Sequence, residues 1–190
     1  MEYKGDILYI EQVLKGRTEA FAYIVDHHKD RAFNLAFRIC VNREDAEEIA
    51  QDSFLKAYRS LPGFKMRSSF STWLYRIVYN TAISHMRLKK KGLLSLEDFP
   101  AAVFDFQTEN TSADEAENEY RQSLVNFALQ KISDEERALI SLFYYEELSS
   151  DEIAGITGLS KSSIKVKLFR ARQKMLGIIE KTENRKYIYQ

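Results

Sequence analysis

Between Leu93 and Tyr120 the chain carries eight acids (Glu97, Asp98, Asp105, Glu109, Asp114, Glu115, Glu117 and Glu119) and no Lys or Arg. Unpaired like charges of that density resist burial, so this segment predicts an exposed, flexible linker rather than part of a core. Pro100 and the polar run QTENTSADEAENE point the same way. One such segment splits 190 residues into two parts, each of which needs a hydrophobic core of its own. The flanks have the opposite sign. From Leu61 to Gly92 there are seven Lys/Arg and no acid, and from Lys161 to Lys174 six and no acid. The overall balance of 28 bases against 28 acids conceals this segregation.

Two prolines and seven glycines leave little to interrupt helices, and Leu, Ala, Glu, Lys and Arg are abundant, so the expected class is all-α. The first part predicts about four helices. One follows Thr18 with Phe21, Ile24 and Val25 inward, and the next carries Phe33, Leu35, Ala36 and Ile39. Asn42 caps a third, whose opening acids Glu44, Asp45, Glu47 and Glu48 suit the positive helix end. Its stripe of Ala46, Ile49, Ala50, Ser53, Ala57 and Leu61 has helical spacing, and Pro62-Gly63 stops it. After the loop PGFKMRSS comes a fourth helix, FSTWLYRIVYNTAISHMRLKKK. In the second part, Ser133 with Glu136 and Ser149 with Glu152 are capping-box patterns, and a last helix runs from Ser160 to about Lys181.

Ala154, Gly158 and Ile164 are spaced as in a helix-turn-helix: a small residue at the crossing, a turn glycine, and an anchor in the second helix. At about 100° per residue, Ile164, Leu168, Ala171, Met175 and Ile178 form that helix's core stripe. The opposite face presents Ser162, Val166, Phe169, Arg170 and Gln173, flanked by Lys165 and Lys167. Apolar groups among cations suit a major groove, where thymine methyls, guanine edges and phosphates all offer partners. The fourth helix has an apolar stripe of Trp73, Leu74, Ile77, Val78 and Thr81, with Tyr75, Arg76, Tyr79, Asn80, Ile83 and Arg87 opposite. Cations attract phosphate and aromatic rings stack on unpaired bases. The alternative is a core helix with half-buried tyrosines and a solvated basic tail.

Other classes find little support. The single cysteine, Cys40, excludes an internal disulfide and fits a reducing cytoplasm. No signal peptide opens the chain, and its longest uncharged run, ten residues from Ile77 to Met86, is far short of the roughly 20 apolar residues of a membrane span. His27 and His28 are adjacent on different helix faces and His85 is remote, so the histidines predict no metal site. No phosphate loop or nucleophile motif suggests an enzyme, and no cofactor is implied.

The ordered set DAEEIAQDSFLKAYRSL, FSTWLYRIVYNTAISHMR, an acidic linker and LSSDEIAGITGLSKSSIKVKLFRARQKM resembles the extracytoplasmic-function sigma factors of bacterial RNA polymerase, over about residues 6 to 180. The resemblance implies a region 2 domain over residues 6–92, a linker over 93–120 and a region 4 domain over 121–182. It implies that Asp45, Glu48, Gln51, Asp52 and Phe54 meet the core polymerase. Phe64, Lys65, Arg67, Trp73, Arg76, Tyr79, Asn80 and Arg87 then read and help melt the single-stranded −10 element. Ser162, Ser163, Lys165, Val166, Lys167, Phe169 and Arg170 read the duplex −35 element. An anti-sigma factor is a further expected partner, and the acidic linker is expected to thread towards the polymerase active-site channel. Val166 and Lys167 depart from the family's common residues there, which leaves the −35 sequence preference open. A ligand-sensing helix-turn-helix regulator and a helical enzyme are the competing readings; neither accounts for DAEEIAQDSF beside the basic aromatic helix.

Overall fold

The computed structural model describes residues 3–92 and 113–188, with side chains from 5–92 and 117–184. Among these residues the chain is helical with no strand: α1 (Tyr3–Leu14), α2 (Ala20–Cys40), α3 (Arg43–Ser60), α4 (Phe70–Gly92), α5 (Ala113–Gln130), α6 (Asp134–Ile140), α7 (Ser150–Thr157) and α8 (Lys161–Ile188). The expected all-α class holds. Most of the acidic linker lies outside the described residues, but its last part, from Ala113 to Tyr120, is the start of α5. Glu117 and Glu119 are exposed on that helix, and Glu117 pairs with Arg121 at 2.6 Å.

Two expectations for the first part change. The helix after Thr18 and the one carrying Leu35 are one continuous helix, α2. No Gly or Pro separates them; the apolar stripe is interrupted only because a core position on it is filled by His28, 2% exposed. The extra helix is α1, which packs on α2 through stacked Tyr9 and Tyr23 rings, centroids 3.6 Å apart, and through buried Ile10. Asp6 of α1 accepts a hydrogen bond from the His28 ring at 3.1 Å. Burial outweighs that carboxylate and holds His28 below its ordinary pKa.

Local signals set the remaining ends. Val41 takes a left-handed conformation (φ 56°) to close α2, and Asn42 accepts from the Asp45 N–H at 2.8 Å to open α3. Ser69 does the same for α4 through the Thr72 N–H, 3.0 Å. Both expected capping boxes form, on α6 and α7. After α6 the chain widens into a π-helical turn, Ser141–Tyr145. Gly158 ends α7 in the left-handed region (φ 74°), where a side chain would be strained.

The two parts do not stand apart. Leu35, Leu74 and Val78 from the first and Leu139, Leu142, Ile153 and Ile164 from the second belong to one contiguous core. Arg137 of α6 is buried across the junction. Its guanidinium donates to the Ile39 carbonyl at the end of α2 (2.9 Å) and to the Ile132 carbonyl (2.9 Å), and pairs with Asp134. A cation at the negative end of α2 satisfies one of the carbonyls that the helix leaves unpaired, that of Ile39. Removing the guanidinium strands buried acceptors, so Arg137→Ala should lower unfolding free energy by about 1–3 kcal/mol, read from urea titration. A surface-like loss near zero would show that this junction contributes no stability.

Candidate nucleic-acid interface

α7 and α8 form the expected helix-turn-helix. Ile153, Ile156 and Ile164 are fully buried at its heart, and the Gly158 N–H returns to the Ala154 carbonyl at 2.9 Å. Ser160 accepts from the Ser163 N–H at the start of α8. With Ile164, Leu168 and Ala171 turned inward, Ser162, Lys165, Val166, Phe169 and Arg170 are all exposed. Phe169 is 57% exposed and Val166 48%, so both apolar side chains stand in solvent between cations. Among the described residues Lys165 and Arg170 carry no ion pair. Ser163 and Lys167 are half-buried, and Lys167 pairs with Glu135 at 3.3 Å. Most of the face read from the sequence is therefore open.

The second basic surface is organised differently. Phe64 in the loop, Phe70 and Trp73 form a three-ring cluster with centroids 5.0–5.8 Å apart. Phe64 and Trp73 are half-buried by it, while Lys65, Arg67, Arg76, Asn80 and Arg87 are exposed. Tyr79 is not on an open face: it is 9% exposed, and Tyr75 is 3% exposed. Leu74, Val78 and Thr81 are buried as the apolar stripe requires, so α4 buries two faces. The second is covered from the other part of the chain. Tyr75 donates to the Glu146 carboxylate, which also pairs with Arg38 of α2 at 3.2 Å, with side chains 14% and 9% exposed. Arg38 lies over the Tyr145 ring, 4.0 Å from its centroid. Burial, aided by Glu146, pushes the Tyr75 hydroxyl well up, and burial with the nearby Glu135 charge raises Tyr79. Sequence periodicity could not locate this cover, because it comes from residues some 70 positions away.

The basic end of α4 is also partly engaged. Lys89 pairs with Asp45 at 2.5 Å, as does His85 at 3.2 Å, and Lys90 reaches Asp134 across the junction at 2.5 Å.

On α3, Glu48, Gln51 and Asp52 are exposed together, while Asp45 is bound by α4 and Phe54 is 8% exposed in the core. Leu55, 55% exposed, completes the surface row at positions 48, 51, 52 and 55. The sequence reading missed it, although its place outside the apolar stripe was the available signal.

Residues 24–92 match the family description "Sigma-70 region 2" and residues 124–175 match "Sigma-70, region 4". The ECF RNA polymerase sigma factor SigW of Bacillus subtilis is 34% identical over 175 residues, covering 86% of this chain and 91% of that protein. This chain belongs to the sigma-70 family, as an extracytoplasmic-function sigma factor. The ECF RNA polymerase sigma-E factor of Haemophilus influenzae is 32% identical over 181 residues, covering 90% and 94%. In fold the chain is similar to the sigma factor RpoE of Bartonella quintana in complex with the anti-sigma factor NepR, with TM-score 0.69, 24% identity and coverage of 84% and 96%. It is likewise similar to CnrH in complex with the cytosolic domain of CnrY, with TM-score 0.62, 22% identity and coverage of 91% and 96%. A sigma factor directs promoter-specific transcription initiation by RNA polymerase. No helix among the described residues is long and apolar enough to cross a membrane.

The Arg38–Glu146–Tyr75 contact is charged on the α2 side, so reversing one sign tests it. Glu146→Lys should force the two parts of the sigma factor apart and raise the radius of gyration in small-angle scattering. An unchanged radius would mean that this contact does not hold them together.

Proposed function

We propose that the two basic surfaces divide promoter recognition between them. α8 lies in the major groove of the −35 element, with Arg170 and Lys165 towards guanine edges or phosphates and Val166 and Phe169 towards thymine methyls. The loop with Phe64, Lys65 and Arg67 and the exposed row Arg76, Asn80 and Arg87 of α4 hold the non-template strand of the −10 element. Base flipping costs a few kcal/mol per base, which stacking on Phe64, Trp73 and Tyr79 offsets. The first domain is residues 6–92; the second, expected over 121–182, begins with α5 at Ala113, which leaves 93–112 as the joining segment. The row Glu48, Gln51, Asp52 and Leu55 on α3 contacts the core polymerase. The role is non-enzymatic. Full use of Tyr79 requires α6 and α7 to leave α4, so the DNA-bound state is more open than the one described above. By analogy with the two solved complexes, an anti-sigma factor is a partner.

The observation that carries this reading is the exposed face of α8, where Val166 and Phe169 stand beside Lys165 and Arg170, which carry no ion pair among the described residues. Run-off transcription with purified core polymerase on a promoter library tests it: promoter-specific starts are expected, and their absence despite tight duplex binding would overturn it. Arg170→Ala should lose about 1–3 kcal/mol of discrimination at one or two −35 positions and leave the others unchanged. In the double variant Arg76→Ala, Asn80→Ala, holoenzyme assembly should persist while permanganate footprinting at −10 disappears. Normal melting by that variant would remove α4 from the mechanism.

A further inference from the structure

The contact between α1 and α2 holds a donor set unrelated to DNA. Asp6, His27 and His28 bring one ligand atom each to within 4.8 Å of one another. His spacing alone gives no hint of this, because the third donor comes from α1. His27 and His28 do leave the helix in different directions, one exposed and one buried, with ring planes 89° apart and centroids 4.9 Å apart. Their nitrogens nonetheless converge on the Asp6 carboxylate.

Two of the donors are already spaced for a metal. Tetrahedral zinc with bonds of about 2.0–2.1 Å sets its ligands about 3.3–3.4 Å apart. Asp6 Oδ1 and His28 Nε2 are 3.1 Å apart in the hydrogen bond they share, and both residues are buried; an ion would replace the bridging proton, which leaves to Nδ1 or to solvent, and the two donors would separate by a few tenths of an ångström. His27 is exposed and needs a larger adjustment. Its neighbour Tyr23 lies parallel to it, 4° between planes and 6.1 Å between centroids, and Tyr23 is itself stacked on Tyr9 of α1. That ladder keeps the imidazole on the α1 side of α2. Asp6 also lines a cavity of about 580 Å³ between the two parts of the chain, and the exposed His27 opens the other side of the donor set to solvent. Arg31 on the same cavity wall opposes a dication, and the Asp6 carboxylate offsets one of its charges.

We propose that Asp6, His27 and His28 form a three-ligand site for a divalent first-row transition ion, zinc or cobalt in type, with water in the fourth position. Two imidazoles and a carboxylate suit that class rather than Ca²⁺ or Mg²⁺, which favour all-oxygen shells. The ion fastens α1 to α2. It does so beside Phe70, whose ring lies 5.2 Å from His28 and which belongs to the Phe64–Trp73 cluster at the −10 surface. Occupancy therefore stabilises the fold next to the DNA-reading loop without touching DNA.

The test uses the full chain, stripped with a chelator and titrated with Co²⁺ as a visible probe and then Zn²⁺ as competitor. One equivalent of Co²⁺ should give the ligand-field bands of a four-coordinate ion, Zn²⁺ should bleach them, and Zn²⁺ should raise Tm. His27→Gln changes an exposed side chain, so its metal-free Tm should match wild type while affinity falls at least about tenfold. Asp6→Asn, similar in size, should also bind more weakly. His85→Gln, at the other histidine, should bind as wild type does. Absence of stoichiometric binding, wild-type affinity in His27→Gln, or loss of binding in His85→Gln would each overturn the assignment. None of these readouts depends on transcription.

Discussion

Burial of a second face of α4 is the constraint on which the arrangement depends. A surface helix normally buries one stripe and leaves the rest to water. Here Leu74, Val78, Tyr75 and Tyr79 are all buried, Tyr75 donates to Glu146 of the second part, and α6 and α7 pack on α4. Each hydroxyl needs a partner once it is dry, and Glu146 supplies one for Tyr75 while also meeting Arg38. Breaking any member leaves another buried and unpaired, which is why such a network resists opening more than its area suggests.

Arg137 extends the same logic to the backbone. The last carbonyls of a helix are unsatisfied by construction, and those of α2 would face the second part of the chain. A guanidinium from α6 meets one of them and also binds its own half through Ile132. Arginine suits this task because its fixed fork of donors serves acceptors in several directions at once. Burial lowers the pKa of Arg137 from its ordinary value.

What could be read from the sequence follows the range of the forces involved. Caps at Asn42, Ser133 and Ser149, the turn at Gly158 and the inward stripe of α8 depend on neighbours within four residues along the chain, and each formed as its local pattern required. The exposed row of α8 followed from the same periodicity. Expectations changed where a distant residue intervened. His28 broke the apolar rhythm of α2 because its partner, Asp6, lies 22 positions away. Tyr79 looked available because α6 and α7 are remote in sequence. Phe54 looked like a contact residue within a motif, but its ring fills the core. The family resemblance marked the motif, and only packing separates the side chains within it that face outward from those that face inward.

The unequal state of the two basic surfaces has a kinetic meaning. α8 presents Val166, Phe169 and Arg170 to solvent while the tyrosines of α4 are covered. On the proposed division of labour, duplex contact at −35 needs no rearrangement, whereas strand capture at −10 carries the free energy of separating the two parts. Its apparent affinity is reduced by the fraction of molecules already open. The upstream element is then engaged first, and whatever separates the halves becomes the step that commits the promoter. On that proposal, the fold that gives the described residues one continuous core also sets the order of the encounters with DNA.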